Sequence, residues 1–331
     1  MARTSSGRTR PGYLTLLESG DLFRRVGLLI KKLQACKVCP RHCRANRIRN
    51  GLGVCETGRF AEVASWCLHR GEEPCISGTK GSGTVFFAHC NLKCIFCQNA
   101  QISQLAAPGR GVKTPRQLAD IYLELQEMGA HNINWVSPGH VVPQALEALA
   151  LAARDGLGIP IVYNSNGYDE LDTLELLDGV VDIYLPDVKY ADDRAADSLS
   201  NALGYAYQAR SAVKEMWRQV GPLQLDDDGV ARHGLLVRHL VLPNRMSQTR
   251  EVMQFLARSL GRRVAVSLMA QYYPTFQAPG HPFVGRCLQA WEYEEALDAF
   301  DDSGLTEGYF QQPGSSDSYR PDFEKEGHPF E

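Results

Sequence analysis

No apolar run in this chain reaches the ~20 residues that a membrane-spanning helix needs, so no spanning helix and no membrane partner is expected. The chain also lacks a large charge of either sign. Its 35 Lys and Arg stand against 38 Asp and Glu, a net −3, which argues against a broadly basic nucleic-acid surface. No secretory leader is read at the start, and 331 residues is far too long for a small disulfide-stapled scaffold. The ten cysteines therefore point to metal ligation in a reducing, cytoplasmic compartment. Residues 1–10 lack any acid and are rich in Arg, Ser and Thr. That composition occurs in transit peptides, but the reading taken here is a disordered tail over 1–12.

What is present is an ordinary core-forming composition, 44% hydrophobic, long enough for one large α/β barrel or two smaller domains. Residues 20–34 place Leu22, Phe23, Val26, Leu29, Ile30 and Leu33 at helical spacing, with Asp21 as the expected cap. A cysteine-rich module follows, so that 13–75 reads as an N-terminal unit. A Gly-rich stretch, 71–83, leads into the first strong strand. Strands are expected at 84–88, 132–137, 159–163, 180–185, 235–242 and 263–269, alternating with helices. The clearest helix is 114–128, with Thr114 as cap, Pro115 in its first turn and Gly129 at its end. Such alternation implies a parallel sheet, and six units suit a partial (β/α)6 barrel over 76–311. The tail 312–331 has no periodicity and is expected to be extended or disordered.

The most informative residues are Cys90, Cys94 and Cys97, spaced by three and two residues. Structural zinc takes four ligands, usually from two paired clusters. A compact trio suits an iron–sulfur cube with three thiolate-held irons and one open iron. Cys36, Cys39, Cys43 and Cys55 form a separate set of four. Four thiolates close a site, which reads as zinc or as a second, fully ligated 4Fe–4S cluster able to relay electrons. Cys67 and Cys75 read as buried structural thiols, and Cys75 could replace one of the four. Cys287 looks incidental.

In parallel α/β folds, chemistry gathers at the C-terminal ends of the strands. Here Cys90–Cys97, Ser137-Pro138-Gly139-His140, Asn164-Ser165-Asn166-Gly167, Asp187-Val188-Lys189 and Gln271-Tyr272 each follow an expected strand. Arg238 lies inside one, where a buried guanidinium requires an anionic partner. A cofactor carboxylate would serve.

The motif Cys90-x3-Cys94-x2-Cys97, with Phe96 inside it, resembles the radical S-adenosylmethionine (SAM) enzymes. Asp187-Val188-Lys189 and the strand Arg238-His239-Leu240-Val241-Leu242-Pro243 resemble those of the pyruvate formate-lyase activating enzyme type. Cys-Lys-Val-Cys-Pro-Arg-His-Cys and Gly-Glu-Glu-Pro-Cys-Ile-Ser-Gly resemble an activase-like subgroup with an extra N-terminal cysteine module. The resemblance implies a 4Fe–4S cluster on Cys90, Cys94 and Cys97, where SAM is reductively cleaved to a 5′-deoxyadenosyl radical that takes hydrogen from a substrate. It implies SAM contacts from Phe96, Ser137, Gly139, Asn164, Asp187, Lys189 and Arg238, the last meeting the SAM carboxylate. Ser-Pro-Gly-His stands where the family has Gly-Gly-Glu, so Ser137 or backbone carbonyls take that part. A family histidine is replaced by the neighbourhood of Gln271 and Tyr272. The implied partners are a flavodoxin or ferredoxin reductant and a glycyl radical enzyme whose glycine loses the hydrogen. Two alternatives stay open: another peptide or small molecule as substrate, or a non-catalytic iron–sulfur electron carrier. The long segment 273–286 is expected to act as a lid.

Overall fold

The structure, a computed structural model, describes residues 10–312, 321–323 and 329–330. The expected tails at 1–12 and 312–331 lie mostly outside these residues. Among the described residues ten strands are formed: β1 (Ala61–His69), β2 (Ser82–Phe87), β3 (Val112–Lys113), β4 (Ile133–Val136), β5 (Ile161–Asn164), β6 (Ile183–Tyr184), β7 (Gln224–Leu225), β8 (Ala231–Leu240), β9 (Ala265–Met269) and β10 (Glu307–Phe310). They make one sheet in the order β10-β9-β8-β6-β5-β4-β2-β1-β3, with β7 attached to β8.

From β2 through β4, β5, β6, β8 and β9 to β10, every neighbouring pair is parallel. A parallel step obliges the chain to return on the outside, normally as a helix. Helices Pro115–Glu127, Val142–Arg154, Leu171–Leu174, Tyr205–Val220, Thr249–Leu260 and Ala290–Asp302 make those returns. The sheet does not close, so the architecture is the expected partial barrel. All six expected strands are present. β10 extends the parallel run, and it escaped the sequence reading because Glu307-Gly308-Tyr309-Phe310 is largely exposed and offers no apolar run. β1 pairs antiparallel with β2. Residues 61–69, grouped on the sequence with the cysteine module, are therefore continuous with the main sheet.

Local signals explain the helix ends. The Thr114 hydroxyl accepts from the Gln117 amide while the Gln117 side chain returns to the Thr114 amide, a reciprocal capping box. Asp21 does not cap its helix. Gly20, at φ 77°, precedes Asp21–Lys32, and the Asp21 carboxylate instead accepts from Arg24 and Arg25. The buried stripe Leu22, Val26 and Leu29 lies on this helix, which packs against Val142–Arg154.

Alternate strand residues face opposite sides. Tyr163 and Tyr184 join the large core under the helices, whereas Val162, Ile183, Leu236 and Ala265 face the barrel interior. There they meet Cys75 and Ile76 from the single turn Pro74–Ser77. This turn plugs the interior, and Cys75 is a buried thiol there, bonded to the Tyr309 hydroxyl. Cys67 is also buried, and Cys287 is exposed.

His239 of β8 is buried between the Val188 carbonyl, 2.6 Å from Nδ1, and the Thr249 hydroxyl, 3.0 Å from Nε2. Desolvation lowers its pKa to about 4, from 6.5. Below pH 6.5 the unfolded chain binds this proton and the folded chain does not, so stability falls with acid through that window. His239→Gln should show a shallower loss between pH 6.5 and 4, by up to about 1.4 kcal/mol per pH unit, in urea unfolding series across that range.

Candidate active site at the strand ends

Hydrogen bonding continues past the regular strands. The Ser137 amide donates to the Asn164 carbonyl at 2.8 Å, and the Asp187 amide to the Ser165 carbonyl at 2.9 Å. The Val188 amide donates to the Arg238 carbonyl at 2.8 Å. Ser137, Asn164, Asp187 and Arg238 are thus laid side by side. Gly167 allows this closeness: it has φ +77°, and a Cβ there would stand 2.1 Å from the Asp187 carbonyl oxygen.

These ends ring a cavity of about 500 Å³. Cys90, Cys94, Phe96 and Cys97 line one side. Ser137, Asn164, Asp187 and Lys189 line it as well, as do Gln271 and Tyr272. Each of the three sulfurs has a polar partner. Leu92 N and Asn166 Nδ2 donate to Cys90 Sγ at 3.4 and 3.3 Å. Ser200 Oγ donates to Cys94 Sγ at 2.9 Å, and Ser103 Oγ lies 3.2 Å from Cys97 Sγ. Burial pushes the Cys94 thiol up to about 12, against the pull of Lys189, and also raises Cys90. Lys189 is paired with Asp187 at 2.5 Å. Burial works against its charge, but Asp187 and the nearby Cys94 raise its pKa.

Three placements differ from the sequence reading. Gly139 is buried away from the cavity wall, and a Cβ on it would lie 2.8 Å from Asp169 Oδ1. Its smallness serves the packing of the 137–140 turn. Arg238 does line the cavity, but the carboxylates it needs come from within the chain. Its Nε donates to Glu73 Oε1 at 2.8 Å, and its Nη2 binds both Glu73 and Glu72. Burial opposes the charge on Glu73, yet Arg238 holds its carboxyl below the ordinary range. The segment 273–286 supports the cysteine loop from behind. Gln277 N donates to the Ile95 carbonyl at 2.9 Å, and Ala278 and Val284 are packed with Phe96. Pro321 and Phe330 are among the residues that line the cavity, with the Phe330 ring 4.3 Å from that of His69.

The N-terminal cysteines are gathered too. Cys36, Cys39 and Cys55 are buried and Cys43 is half-buried. Burial raises the Cys39 thiol, with Cys55, Cys36 and Cys43 near enough to add to the effect. Gly53 is required here, since a Cβ would fall 2.4 Å from Cys43 Sγ. Two arginines tie this module to the strand-end loops: Arg41 Nε donates to the Asn91 carbonyl and Arg47 Nη1 to the His140 carbonyl, both at 2.7 Å.

Sequence reasoning did not find Glu72, Glu73, Ser103 or Ser200 as site residues. Gly-Glu-Glu-Pro was visible as a signature, but its partner lies 165 residues further on. The Gly167 geometry gives a direct test. Gly167→Ala should lower unfolding stability by more than about 1 kcal/mol in chemical denaturation, because both the backbone angle and the space are unsuitable for a side chain.

The profile of the Radical SAM superfamily matches residues 84–221. An uncharacterized protein of Methanocaldococcus jannaschii is 32% identical over 269 residues, covering 80% of this chain and 73% of its own. Among solved structures, HydG, a maturase of the FeFe-hydrogenase, matches with a TM-score of 0.46 and 10% identity over 89% of this chain. This chain spans 64% of that protein. Methylornithine synthase (PylB) matches with a TM-score of 0.40 and 12% identity, covering 96% of this chain and 85% of its own. With the superfamily profile spanning the cysteine motif and the strand ends as far as Lys189, and a relative alike over most of both chains, this chain belongs to the radical SAM superfamily.

Proposed function

We propose that Cys90, Cys94 and Cys97 hold the 4Fe–4S cluster at which this radical SAM enzyme cleaves SAM, and that the substrate enters the same cavity. The observation that carries this is the hydrogen-bonded state of all three sulfurs beside a cavity at the strand ends. Metal-bound thiolates accept such bonds, and neighbouring donors tune the metal.

When bound, the cluster and SAM supply one electron and a hydrogen-abstracting carbon radical. The chain's own residues do the placing. Phe96 offers a flat wall for the adenine, held edge-on by Tyr272 at 5.7 Å between ring centres. Asp187 and Lys189 offer an acceptor and a donor to the ribose and methionine. Ser137 and Asn164 lie beside them for the amino-acid end. Arg238 takes a less direct part than the family resemblance implies, since its donors are already engaged. Buried Phe86 and the ring of Phe330 shield the interior from water, which a reactive radical requires.

Cys36, Cys39, Cys43 and Cys55 are proposed as a closed second metal site, zinc or 4Fe–4S. The finer functional reading is removal of hydrogen from a backbone glycine of a glycyl radical enzyme, with an electron from a flavodoxin or ferredoxin. Asp187-Val188-Lys189 and the strand from Arg238 to Pro243 support that reading by their likeness to the activase type.

Anaerobic reconstitution with iron and sulfide, followed by SAM and a strong reductant, tests the whole. Release of 5′-deoxyadenosine with about eight irons per chain means two cubes; about four irons plus one zinc makes the N-terminal site structural. A full catalytic cluster without SAM cleavage would make the chain an electron carrier instead. Cys94→Ala should abolish cleavage, while Cys39→Ala should keep catalytic iron. Equal loss of all iron in both variants would refute the division into two sites.

A further inference from the structure

The N-terminal cysteine module carries a charge opposite to that of the chain as a whole. Residues 36–60 hold six Lys and Arg against one acid, in a chain of net charge −3. Acids that reach this loop from elsewhere are already spent, Glu147 on Arg59 and Glu170 on His42. Glu56, the loop's own acid, faces the buried His89. Among the described residues Lys37, Arg44 and Arg49 are exposed and make no ion pair. Arg44 N donates to the Cys36 carbonyl at 3.0 Å, which brings the backbone at Lys37, the next residue, beside Arg44.

The same loop brings a thiol towards the surface. Cys36, Cys39 and Cys55 are buried, whereas Cys43 is half-buried. Cys43 precedes Arg44 and stands against Gly53. Leu52 and Val54, on either side of Gly53, are exposed. An apolar pair and unpaired cations thus flank the most accessible of the four thiols. Beneath them, Arg47 is fully buried and has no carboxylate partner among the described residues, and its Nη2 has no hydrogen-bond partner. Its Nη1 lies 3.7 Å from Cys36 Sγ. A buried guanidinium requires an anion, and four thiolates outweigh the charge of the metal they hold, so the module fits such a group. The route onward is short. Arg41, between Cys39 and Cys43, donates through Nε to the Asn91 carbonyl at 2.7 Å, and Asn91 adjoins Cys90. Asn166 Nδ2 bonds both Asn91 Oδ1 at 2.8 Å and Cys90 Sγ at 3.3 Å.

We infer that the surface around Cys43 is the docking site of an acidic one-electron carrier protein, and that the electron for the catalytic cluster enters through the four-cysteine site. An acidic partner meets Lys37, Arg44 and Arg49 with opposite charge, which speeds encounter and is screened by salt. Leu52 and Val54 supply the small apolar contact that suits a transient electron-transfer complex. The carrier's centre is oxidised by one electron and the four-cysteine cluster is reduced by one. That electron passes on to the three-cysteine cluster, and no bond is made or broken. The inference rests on the 4Fe–4S reading of the second site, since zinc has no redox chemistry.

The test uses the full chain, iron-loaded and anaerobic, without SAM. Its probe is a plant-type ferredoxin, an acidic carrier. Stopped-flow absorbance follows reduction of the clusters by reduced ferredoxin, and titration calorimetry gives the affinity for the oxidised form. Rate constant and affinity should each fall about tenfold or more between about 50 and 500 mM salt. The pair Lys37→Glu and Arg44→Glu should cost about tenfold or more in both at low salt, while dithionite still reduces the variant fully. Reversing Arg258 and Arg263, exposed cations ahead of β9, should cost less than about threefold. Cys39→Ala should slow reduction of the remaining cluster by ferredoxin about tenfold or more, since the entry site is gone. Salt-independent reduction, equal losses from the two charge-reversed pairs, an undiminished rate in Cys39→Ala, or zinc in the second site would overturn the inference. Should the first pair fail to fold, the salt dependence of the unaltered protein and the Cys39→Ala rate decide. The radical reading fails separately. SAM left uncleaved by a protein that ferredoxin reduces in this way removes only that reading. SAM cleaved with dithionite, but no charge dependence toward ferredoxin, removes only the docking surface.

Discussion

Parallel pairing is the constraint from which the rest of the molecule follows. Once β2, β4, β5, β6, β8, β9 and β10 run the same way, every return must pass outside and every strand must end on the same side. The residues just beyond those ends then have nowhere to go but around one opening. The ladder extends them further, through Ser137 to Asn164, Ser165 to Asp187 and Val188 to Arg238. Four separate loops are thereby held in register by backbone hydrogen bonds, which is firmer than side-chain contact alone and suits a site that must place reactants closely.

Buried charge organises the interior in a second way. A guanidinium inside a barrel must find anions, and Arg238 finds them in Glu72 and Glu73, on the segment that precedes the plug Pro74–Ser77. One ion cluster thus joins the segment leading into the first parallel strand to the C-terminal end of β8. Breaking one member would leave a buried charge without its partner, a far larger penalty than loss of a surface pair. The pair Asp187–Lys189 does similar work nearer the thiols, where a positive charge counters the desolvation of sulfur. Three polar side chains from separate parts of the chain, Ser103, Asn166 and Ser200, converge on the three sulfurs, and Gln277 N holds the Ile95 carbonyl, so the loop conformation is fixed from outside as well as within.

Much of this was legible in the chain. The cysteine spacing, the alternation of strands and helices and the clustering of polar residues after strands are all local features, and each can be read from a short window. The placements that were misread depend on distant partners. Arg238 was recognised as needing an anion, but nothing within its own strand says that Glu72 and Glu73 would arrive from 165 and more residues away. β1 was hidden because its burial follows no clean alternation, running through exposed and half-exposed positions beside buried ones. Gly139 looked like a cofactor contact by its place in the rim, whereas its small size answers to Asp169. The segment 273–286 has the length and composition of a lid, and only the bond from Gln277 N to the Ile95 carbonyl and the burial of Ala278 and Val284 in one apolar cluster with Phe96 show it bracing the cysteine loop.

Arg41 and Arg47 have a consequence for how this chain can be divided. Each reaches out of the N-terminal cysteine module to a carbonyl in a loop at the strand ends, at Asn91 and His140. The Asn91 carbonyl belongs to the cysteine loop itself, and β1, next along the chain, is already part of the sheet. A cut before β1 would strip donors from two carbonyls that are folded away from water, at about 1–3 kcal/mol for each acceptor left bare. A cut after β1 would expose the edge of β2. The catalytic fold therefore has no seam on its N-terminal side, and the module and the barrel should unfold as one cooperative unit, without a separable half.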